Sequence, residues 1–392
     1  MAVDLTAQSG AETPTEITDP INARILAVSE DRIAGFVTEP FAQIAFSAEL
    51  PEEVVIERLR AMLAAGVIRR IRQTLMATNL SPGALIAWRV PAEKIDFAFK
   101  YMAQDDPFSG HVVIRSTDAE TPGSVYRLWT TLKVPHPFSM ERHCDFLAAK
   151  TGATAYRIMP ARRLFALGVG HMRRRGIEPG SKSEVKGRVL DTKIVDLNAL
   201  EWRVLTVLKR EFEVEEITPD PWRGRAEEAG VALPQFIDIA RSLSTRGIIG
   251  RFSTFLEHVK PSAAGERVTR YNALFHWRVP EGREIEAGTE VGRHHILTHA
   301  YWREGGPEFG NVNLMGVAHG TDKALLLEHK AAIDRHLEDI GIPVLYTNVF
   351  WCGRSEIKPS EIVPSAYVAW CRRVGIDPDA MRADGAEPLS AA

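Results

Sequence analysis

Four of the twelve histidines in this chain fall within residues 294–319. Most of this stretch is the segment LTHAYWREGGPEFGNVNLMGVAHG at 297–320, whose pattern indicates two strands. Because side chains alternate along a strand, His299, Tyr301 and Arg303 fall on one side of the first strand. Histidine can transfer protons near neutral pH, and arginine can hold a carboxylate through paired hydrogen bonds. Together with His319 on the second strand, these residues form the best candidate for a chemical site.

Less specific explanations of the histidines remain open. A histidine on a half-buried strand is more often a hydrogen-bonded structural residue, and this applies to His299. His294 and His295 flank a strand start and are expected on the solvated surface, and His276 can face either side of its strand. A zinc or dinuclear site is not expected, because helical or knuckle spacing of ligands is missing. The cysteines lack CxxC spacing and number only three: Cys144, Cys352 and Cys371.

Composition and charge narrow the class of protein. The 392 residues are 45% hydrophobic and 25% charged, which is ordinary for a globular protein of two or three domains. A net charge of −3 provides no overall field that attracts nucleic acid or anionic lipid. The sequence has no 18-residue apolar run and no signal-peptide pattern, so we expect a cytoplasmic protein without a membrane segment. The polar residues 1–20 predict a disordered arm.

The rest of the chain reads as two copies of one unit. The stretch ALIAWRVP at 84–91 returns as ALFHWRVP at 273–280, and GVIRRIRQTL at 66 returns as GIIGRFSTFL at 247. Each copy begins with helices and a wing strand, then continues in the order βαββαβ. The fold class is therefore α+β, a tandem repeat of winged helix-turn-helix plus ferredoxin-like domain that pairs as a pseudo-dimer. The expected domains are winged helices at 21–80 and 198–258, ferredoxin-like domains at 81–171 and 268–365, a linker at 172–197 and a tail at 366–392.

The order of these motifs resembles the Lrp/AsnC regulators, and more closely one branch, the siroheme decarboxylases. The segments that carry the resemblance are PFAQIAFSAELPEEVVIERLRAMLAAGVIRRIRQTL, ALIAWRVP, LTHAYWREGGP and NVNLMGVAHG. Weaker versions of the family's terminal strand are TGATAYRIMPARRLFAL and LYTNVFWCGRSEIKP. The first half departs from the pattern, since His319 aligns there with Lys133. We therefore expect the working pocket in the second half, on the two middle strands of its sheet.

This resemblance implies a reaction, a substrate and a set of site residues. The family removes carboxyl groups from the acetate side chains of siroheme on a route to haem or haem d1, with no cofactor beyond the iron tetrapyrrole itself. His299 or His319 would donate the proton with Tyr301 beside them, Arg303 would hold a carboxylate, and His294 or His295 would ligate iron. Further substrate contacts are expected from Arg162, Arg163, Arg293, Trp302, Asn313, Arg354 and His111, the last being equally a remnant of the repeat. A homodimer of the tandem chain is also compatible with the resemblance.

Two other functions compete with this one. A DNA-binding regulator is the commonest use of a helix-turn-helix, but acidic residues outnumber basic ones in both copies of the motif. In the first copy the acidic residues are Glu49, Glu52, Glu53 and Glu57, and the basic residues are Arg58 and Arg60. In the second copy the acidic residues are Glu227, Glu228 and Asp238, and the basic residues are Arg241 and Arg246. Arginines 69, 70 and 72 on the wing keep this alternative open. A tetrapyrrole sensor or carrier would use the same pocket without transforming its ligand.

Overall fold

The computed structural model describes residues 13–76, 80–81, 83–167, 176–187, 189, 195–257 and 270–386. The helices in this part of the chain are α1 (Pro20–Ser29), α2 (Pro40–Ala48), α3 (Glu52–Ala64), α4 (Ile95–Gln104), α5 (Met140–Thr151), α6 (Ala199–Leu208), α7 (Arg223–Glu228), α8 (Leu233–Thr245), α9 (Glu284–Val291), α10 (Lys323–Asp339) and α11 (Pro364–Arg373). The strands are β1 (Ile33–Ala34), β2 (Ile68–Leu75), β3 (Gly83–Arg89), β4 (Ser109–Ser116), β5 (Leu128–Lys133), β6 (Ala155–Pro160), β7 (Arg163–Leu167), β8 (Ile249–Leu256), β9 (Tyr271–Arg278), β10 (Leu297–Trp302), β11 (Leu314–Gly320) and β12 (Tyr346–Ile357). Among the described helices, none is long and apolar enough to cross a membrane.

One compact unit, Met1–Leu75 with Gly170–Arg173 and Arg203–Val268, contains both winged helices. Helix α1 begins where the Asp19 side chain accepts hydrogen bonds from two backbone N–H groups, and α2 begins at Pro40. The wing strands β2 and β8 come from different copies and pair with each other, in the order β1-β8-β2. On one face of this sheet, Phe252 of β8 packs in an aromatic cluster with Phe41 of α2 and Phe212. The two wings thus form one shared sheet.

The second unit, Met76–Val169 with Arg174–Trp202 and Thr269–Ala392, contains both ferredoxin-like halves. Its described strands form one sheet in the order β6-β3-β5-β4-β12-β9-β11-β10-β7. The register repeats between the halves, since Trp88 pairs with Leu128 in the first and Trp277 with Leu314 in the second. This agreement confirms the α+β tandem repeat and its pseudo-dimeric pairing.

Each half sends its last strand into the other half. Strand β12 pairs with β9 through Trp351 and then with β4 as far as Ile357. In the first half, the sequence predicts one terminal strand, but the chain forms β6 against β3 and then β7 against β10. Pro160 has no N–H to continue the pairing with β3, so β6 ends there. Because β6 and β7 lie at opposite ends of the strand order and only two residues separate them, the sheet closes on itself.

This strand order corrects one expectation about the candidate site. Strand β11 is a middle strand of its own half, but β10 is the outer strand of that half and is covered by β7 from the first half. The two strands that carry His299 and His319 are adjacent, as expected. The first half therefore contributes a neighbouring strand to the segment that carries the histidines.

The two faces of the closed sheet have different neighbours. The outer face packs against helices, with α4, α5 and α11 over the first half and α9 and α10 over the second. The inner face is filled by a third apolar cluster that draws side chains from both halves, including Trp129, Phe309 and Phe350. Alternation along each strand assigns every side chain to one face or the other. This assignment decides which candidate residues can meet.

The C-terminal segment requires a correction, because it is not simply a tail. Helix α11 lies in the apolar core of the first half, where Tyr367 and Trp370 are buried. The Trp370 ring packs 4.8 Å from His143 and 5.3 Å from Phe146, measured between ring centroids. The sequence shows an apolar run here but not the surface it covers, since β12 first has to carry the chain into the first half.

The expected solvated linker also makes specific contacts where it is described. The Ser183 N–H donates to the Arg293 carbonyl at 3.0 Å, and the Lys186 ammonium lies 3.3 Å from the Glu290 carboxylate. Glu290 is buried and also accepts hydrogen bonds from His336 and Arg293, at 2.9 and 2.7 Å. Burial alone would raise the pKa of Glu290, but the hydrogen bonds from His336, Arg293 and Lys186 outweigh burial and lower the pKa to about 2.

The N-terminal arm is only partly described. Residues 1–12 lie outside the described part of the chain. From residue 13 onward the chain is attached to the first winged helix, where the Asn22 side chain donates to the carbonyl oxygens of Pro14 and Glu16. Ile17 is buried, so an apolar anchor precedes α1 within the expected disordered segment.

Replacing Trp370 with alanine tests the packing of α11. We expect Trp370→Ala to lower the free energy of unfolding by about 3–5 kcal/mol, because a large buried ring is lost from a closed core. Arg372→Ala, at an exposed position of the same helix, serves as the control and should change stability by less than about 0.5 kcal/mol. Urea denaturation measures both. Equal stability of the two variants would contradict burial of α11.

Replacing Glu290 with glutamine tests the linker contacts. The folded-state pKa of Glu290 lies below the ordinary value, so its contribution to stability is present above about pH 4.5 and is lost as pH falls towards 2. We expect Glu290→Gln to cost about 1–3 kcal/mol at neutral pH, with a difference from wild type that shrinks on acidification. Glu286→Gln, at an exposed position of α9, is the control in the same denaturation series. A Glu290→Gln penalty that stays constant between pH 7 and pH 3 would count against this role.

Candidate functional site

The structure brings His299 and His319 to the same face of the closed sheet. His299 pairs in register with Val317, and His319 follows Val317 by two residues on β11. Side chains two residues apart on a strand share a face, and so do residues in register on neighbouring strands. Val317 packs against the inner cluster, so this face is the inner one. Both histidines are only half buried, at an end of that face that is still reachable from solvent.

His299 belongs to a stack of side chains along β10. Its ring lies parallel to that of Tyr301, at an interplanar angle of 5° and a centroid distance of 5.8 Å. The Arg303 guanidinium lies over the Tyr301 ring, 4.5 Å from its centroid. Burial raises the pKa of Tyr301 in spite of the neighbouring Arg303 charge, so the phenol remains protonated at neutral pH. Tyr301 can therefore donate a hydrogen bond but not act as a base.

Arg303 is less available to a substrate than the sequence predicts. Its side chain is buried, and one guanidinium nitrogen donates to the carbonyl of Met159 on β6. A buried guanidinium that satisfies a backbone carbonyl of the other half has a structural role in holding the two halves together. Its position next to Tyr301 also fixes that ring. Arg303 was expected to hold a substrate carboxylate, and the structure corrects this expectation. Its side chain instead holds β6 and orients Tyr301.

The first half contains an arginine with the same role, which the sequence reasoning missed. Arg115 on β4 is 5% exposed and donates to the carbonyl of Phe350 on β12 at 3.3 Å. Phe350 and Met159 occupy equivalent positions, since they pair in register with Leu274 and Leu85 of the repeated strand. The shift of 188 residues that relates His111 to His299 also relates Arg115 to Arg303, so the repeat could have identified Arg115.

His319 is held by a residue that the sequence reasoning also missed. The Asn272 side-chain nitrogen lies 2.9 Å from His319 Nε2, and these two residues are in register on β9 and β11. The Asn272 oxygen lies 3.4 Å from two nitrogens of Arg115. Asn272 directly precedes the repeated ALFHWRVP strand, a position that gave no chemical signal on its own. The second-half site thus includes a cation from the first half.

His276 lies deeper on the same face. Its ring packs 4.8 Å from Phe350 and 6.1 Å from Trp129, between centroids, inside the inner cluster. Burial, with a smaller effect from Arg115, lowers the pKa of His276 to about 3. The ring is therefore neutral at any physiological pH. Its packing against Phe350 and Trp129 shows that it faces the inner side of β9. Its role is to fill the core beneath the half-buried end.

His294 and His295 do not join this site. His294 is buried on the helix side of the sheet, 5.3 Å between centroids from His336 of α10, and burial lowers its pKa to about 3. His295 Nδ1 lies 3.2 Å from the hydroxyl of Ser181 in the linker. The expectation of a solvated His294 is corrected because the linker and α10 cover it. Neither ring faces the surface that carries His299, so neither is placed to ligate iron bound there.

Most of the expected substrate-binding cations have partners within the protein. Arg293 binds Glu290 and the Ser183 carbonyl, and Arg354 lies 4.1 Å from the Phe99 ring centroid and 3.2 Å from Asp96 on the helix side. Arg162 pairs with Glu304 at 2.9 Å, and Arg163 donates to the Arg162 carbonyl. The structure therefore does not gather these four arginines around the histidines.

Trp302 and Asn313 also lie away from the inner face. Trp302 follows Tyr301 by one residue, so it points to the opposite face, where it packs against the helix-side core. The Asn313 amide bonds to the Val279 backbone through both its oxygen and its nitrogen, and to Glu284 at 3.1 Å. This amide fixes the loop after β9. Sequence spacing predicts neither constraint.

The first-half equivalent of the site differs in its side chains. His111 is half buried on β4, and its backbone N–H donates to the hydroxyl of Thr131. Lys133 pairs in register with Gly83, as His319 pairs with Asn272. The register therefore supports the alignment of His319 with Lys133. A lysine and a glycine replace the hydrogen-bonded histidine and asparagine, so the two ends of the inner face are chemically different.

The winged helices offer few unoccupied cations on the wing. Arg70 is buried and pairs with Glu211 at 2.8 Å. Arg72 lies over the Phe255 ring at 5.4 Å, and burial lowers its pKa to about 10. Arg70 and Arg72 are therefore engaged within the protein, although a DNA-binding regulator would need wing arginines to bind phosphate.

Two family models match segments of this chain. Residues 36–69 match the siroheme decarboxylase NirDL-like HTH domain, and residues 80–166 match the AsnC-like ligand binding domain. The siroheme decarboxylase NirDL subunit of Paracoccus pantotrophus is 26% identical over 291 residues, which is 74% of this chain and 82% of that protein. The siroheme decarboxylase alpha subunit of Desulfovibrio desulfuricans is 28% identical over 131 residues, covering 33% of this chain and 70% of that subunit.

The fold is also similar to solved structures. The crystal structure of the siroheme decarboxylase NirDL superposes with a TM-score of 0.63 at 18% identity, covering 90% of this chain and 98% of that one. A second structure of NirDL, in co-complex with an iron-uroporphyrin III analogue, gives a TM-score of 0.62 at the same identity. At this identity the likeness shows a shared fold. Together with the helix-turn-helix match and the curated relatives, this makes the chain similar to the siroheme decarboxylases in both sequence and fold.

Proposed function

We propose that this protein removes the carboxyl groups of the two acetate side chains of siroheme, giving didecarboxysiroheme on a route to haem or haem d1. The observation that carries the proposal is the match to a siroheme decarboxylase subunit over 82% of that protein's length. The inner-face site is consistent with it, because two histidines and a protonated tyrosine meet at a half-buried end of the sheet. The substrate class is an iron tetrapyrrole, like the analogue bound by the solved relative.

The reaction needs an acid more than it needs a base. In each step the bond between the carboxylate carbon and the methylene carbon breaks, and carbon dioxide leaves. The electron pair stays on the methylene carbon, delocalised into the macrocycle, until a proton converts the group to methyl. No cofactor beyond the tetrapyrrole is required by this balance. A protein group must therefore deliver one proton per carboxyl group removed, and histidine is suited to this near neutral pH.

The described residues can be assigned roles on this basis. His299 and His319 are the candidate proton donors, and Tyr301 donates a hydrogen bond from the same strand as His299. The apolar Val317 lies opposite His299 in the register and two residues before His319 on β11, so it provides an apolar wall beside both histidines. An apolar wall disfavours a carboxylate relative to its uncharged product, which assists loss of carbon dioxide.

Two further expectations belong to this proposal. We place the protein in a reducing cytoplasm, since Cys144, Cys352 and Cys371 are free thiols. Association of the tandem chain into a homodimer remains a prediction, which the molar mass in solution tests. Neither expectation changes the chemistry of the site.

Anaerobic incubation of the purified protein with siroheme tests the proposed reaction. We expect mass spectrometry to detect loss of one and then two units of carbon dioxide per siroheme. His299→Ala and His319→Ala should each lower turnover by about 100-fold or more, within the usual contribution of a positioned proton-transfer group or its partner, while pigment binding persists. His136→Ala, at an exposed position, is the control.

The alternatives give different results in the same experiment. Siroheme that binds and is recovered unchanged would reject the enzyme and favour a sensor or carrier. Specific, salt-sensitive retardation of genomic fragments without any loss of carbon dioxide would favour the regulator. Full activity of both histidine variants would remove this end of the inner face from the mechanism.

A further inference from the structure

Two equivalent positions of the repeat contact each other between the halves, and one is a glycine while the other is a phenylalanine. Phe309 is fully buried in the inner cluster, with its ring centroid 5.0 Å from Tyr126 and 5.4 Å from Trp129 of the first half. A Cβ atom placed on Gly123 would lie 2.2 Å from the Phe309 ring. The ring of the second half therefore occupies space that exists only because the first half has a glycine there.

The repeat gives Gly123 and Phe309 the same place in their halves. Each lies the same number of residues before the start of the equivalent strand, β5 in the first half and β11 in the second. Each is also the third residue of a turn, at 121–124 or at 307–310, in which the last N–H donates to the first carbonyl at 3.0 Å. In a two-fold interface, a position that contacts its own equivalent lies on the axis. Gly123 and Phe309 therefore mark the pseudo-two-fold axis of the ferredoxin-like unit.

The neighbouring positions of the inner face are complementary in the same way. His276 of the second half pairs in register with Met315 on β11. Ala87 holds the equivalent place in the first half, in register with Trp129 on β5. The Trp129 ring centroid lies 6.1 Å from that of His276 and 5.4 Å from that of Phe309. The tryptophan of the first half thus packs against large side chains at positions where the first half itself has only Ala87 and a glycine.

Pairing of two identical halves would lose this fit. Two first halves would bring glycine to glycine at the axis and leave the space of the Phe309 ring empty, which destabilises a core as a cavity does. Two second halves would bring two Phe309 rings to one place, which overpacks the core, and would bury a second imidazole at the position of His276. Side-chain volume therefore disfavours both kinds of like pair, which is how an interface gains specificity.

We infer that the inner face is a pairing surface specific for unlike halves, with Phe309 as a knob and Gly123 as its hole. The partner that fits the second half is the first half of the same chain. Pairing of unlike halves leaves each closed sheet with one end that carries Asn272 and His319, where a pair of second halves would have two. The inference concerns assembly, so it does not depend on the proposed reaction.

A double-mutant cycle on the full chain measures the contact separately from backbone strain. Gly123 has a φ of +85°, so any side chain there adds strain, and this strain is present with or without the Phe309 ring. We expect Gly123→Ala to lower the melting temperature by about 5–10 °C in wild type but by only about 2–4 °C in Phe309→Ala. Calorimetry measures both. Gly282→Ala is the control, because Gly282 has the same φ and nothing within 4 Å of its Cβ position, so its cost should be equal in the two backgrounds.

Refolding two full-length variants together tests the pairing rule. Gly123→Phe puts a ring on both halves and Phe309→Gly leaves a ring on neither, so neither variant can form the knob-and-hole pair within its own chain. In a mixture, each half of one variant fits the opposite half of the other. We expect native mass spectrometry, with one variant ¹⁵N-labelled, to detect a 1:1 complex of the two variants that melts higher than either variant alone. Labelled and unlabelled wild type, refolded together, give the background of exchange between intact chains.

The two experiments can each overturn the inference. An equal cost of Gly123→Ala in wild type and in Phe309→Ala would show that the two positions are not coupled. A mixture of Gly123→Phe and Phe309→Gly with no more mixed complex than the wild-type control would reject the pairing rule, whether or not the variants fold separately. Strain at Gly123 persists in every pairing, so the mixed complex is expected to remain less stable than wild type. Siroheme turnover is not a readout here, so failure of the proposed reaction would leave these results unchanged.

Discussion

The exchange of terminal strands is the interaction on which the rest of the ferredoxin-like unit depends. Strand β12 covers β4 of the first half, and β7 covers β10 of the second, so neither outer strand presents an unpaired edge. Arg115 and Arg303 each donate to a carbonyl oxygen of the opposite half, Phe350 on β12 and Met159 on β6. Each guanidinium loses hydration on burial, and the carbonyl and ring contacts offset part of that cost. Equivalent residues thus stabilise both crossings.

The same exchange shapes the candidate site. The middle of the inner face is packed with aromatic side chains from both halves, among which His276 is buried and neutral. Polar side chains collect towards the ends of the strands, and one such end carries His299, His319 and Asn272. Because β4 is drawn alongside β12, Arg115 reaches this end from the other half. A strand pairing needed for stability therefore also completes the site.

Much of the fold could be predicted from the sequence, because its signals are local or repeated. Apolar spacing predicts the helices of the winged helices, and the repeated WRVP strand predicts two βαββαβ halves. The placement of His299 and Tyr301 on one side of β10 follows from alternation alone. In contrast, the buried environment of His294, the structural role of Arg303 and the docking of α11 depend on contacts between segments more than 40 residues apart. Two of these contacts depend on the strand exchange and the third on the packing of α10, and no local pattern records either.

The differences between the halves are most informative where the backbone is most alike. Gly83 with Lys133 and Asn272 with His319 occupy matching registers, so the two ends of the inner face share a geometry but not a chemistry. A lysine ammonium at neutral pH offers a charge that attracts carboxylates, whereas an imidazole can exist in either protonation state. Two identical subunits would have to carry the same residues at both ends. Within one tandem chain, Gly83 and Lys133 can stand at one end and Asn272 and His319 at the other, which makes the asymmetry itself a property of the fused chain.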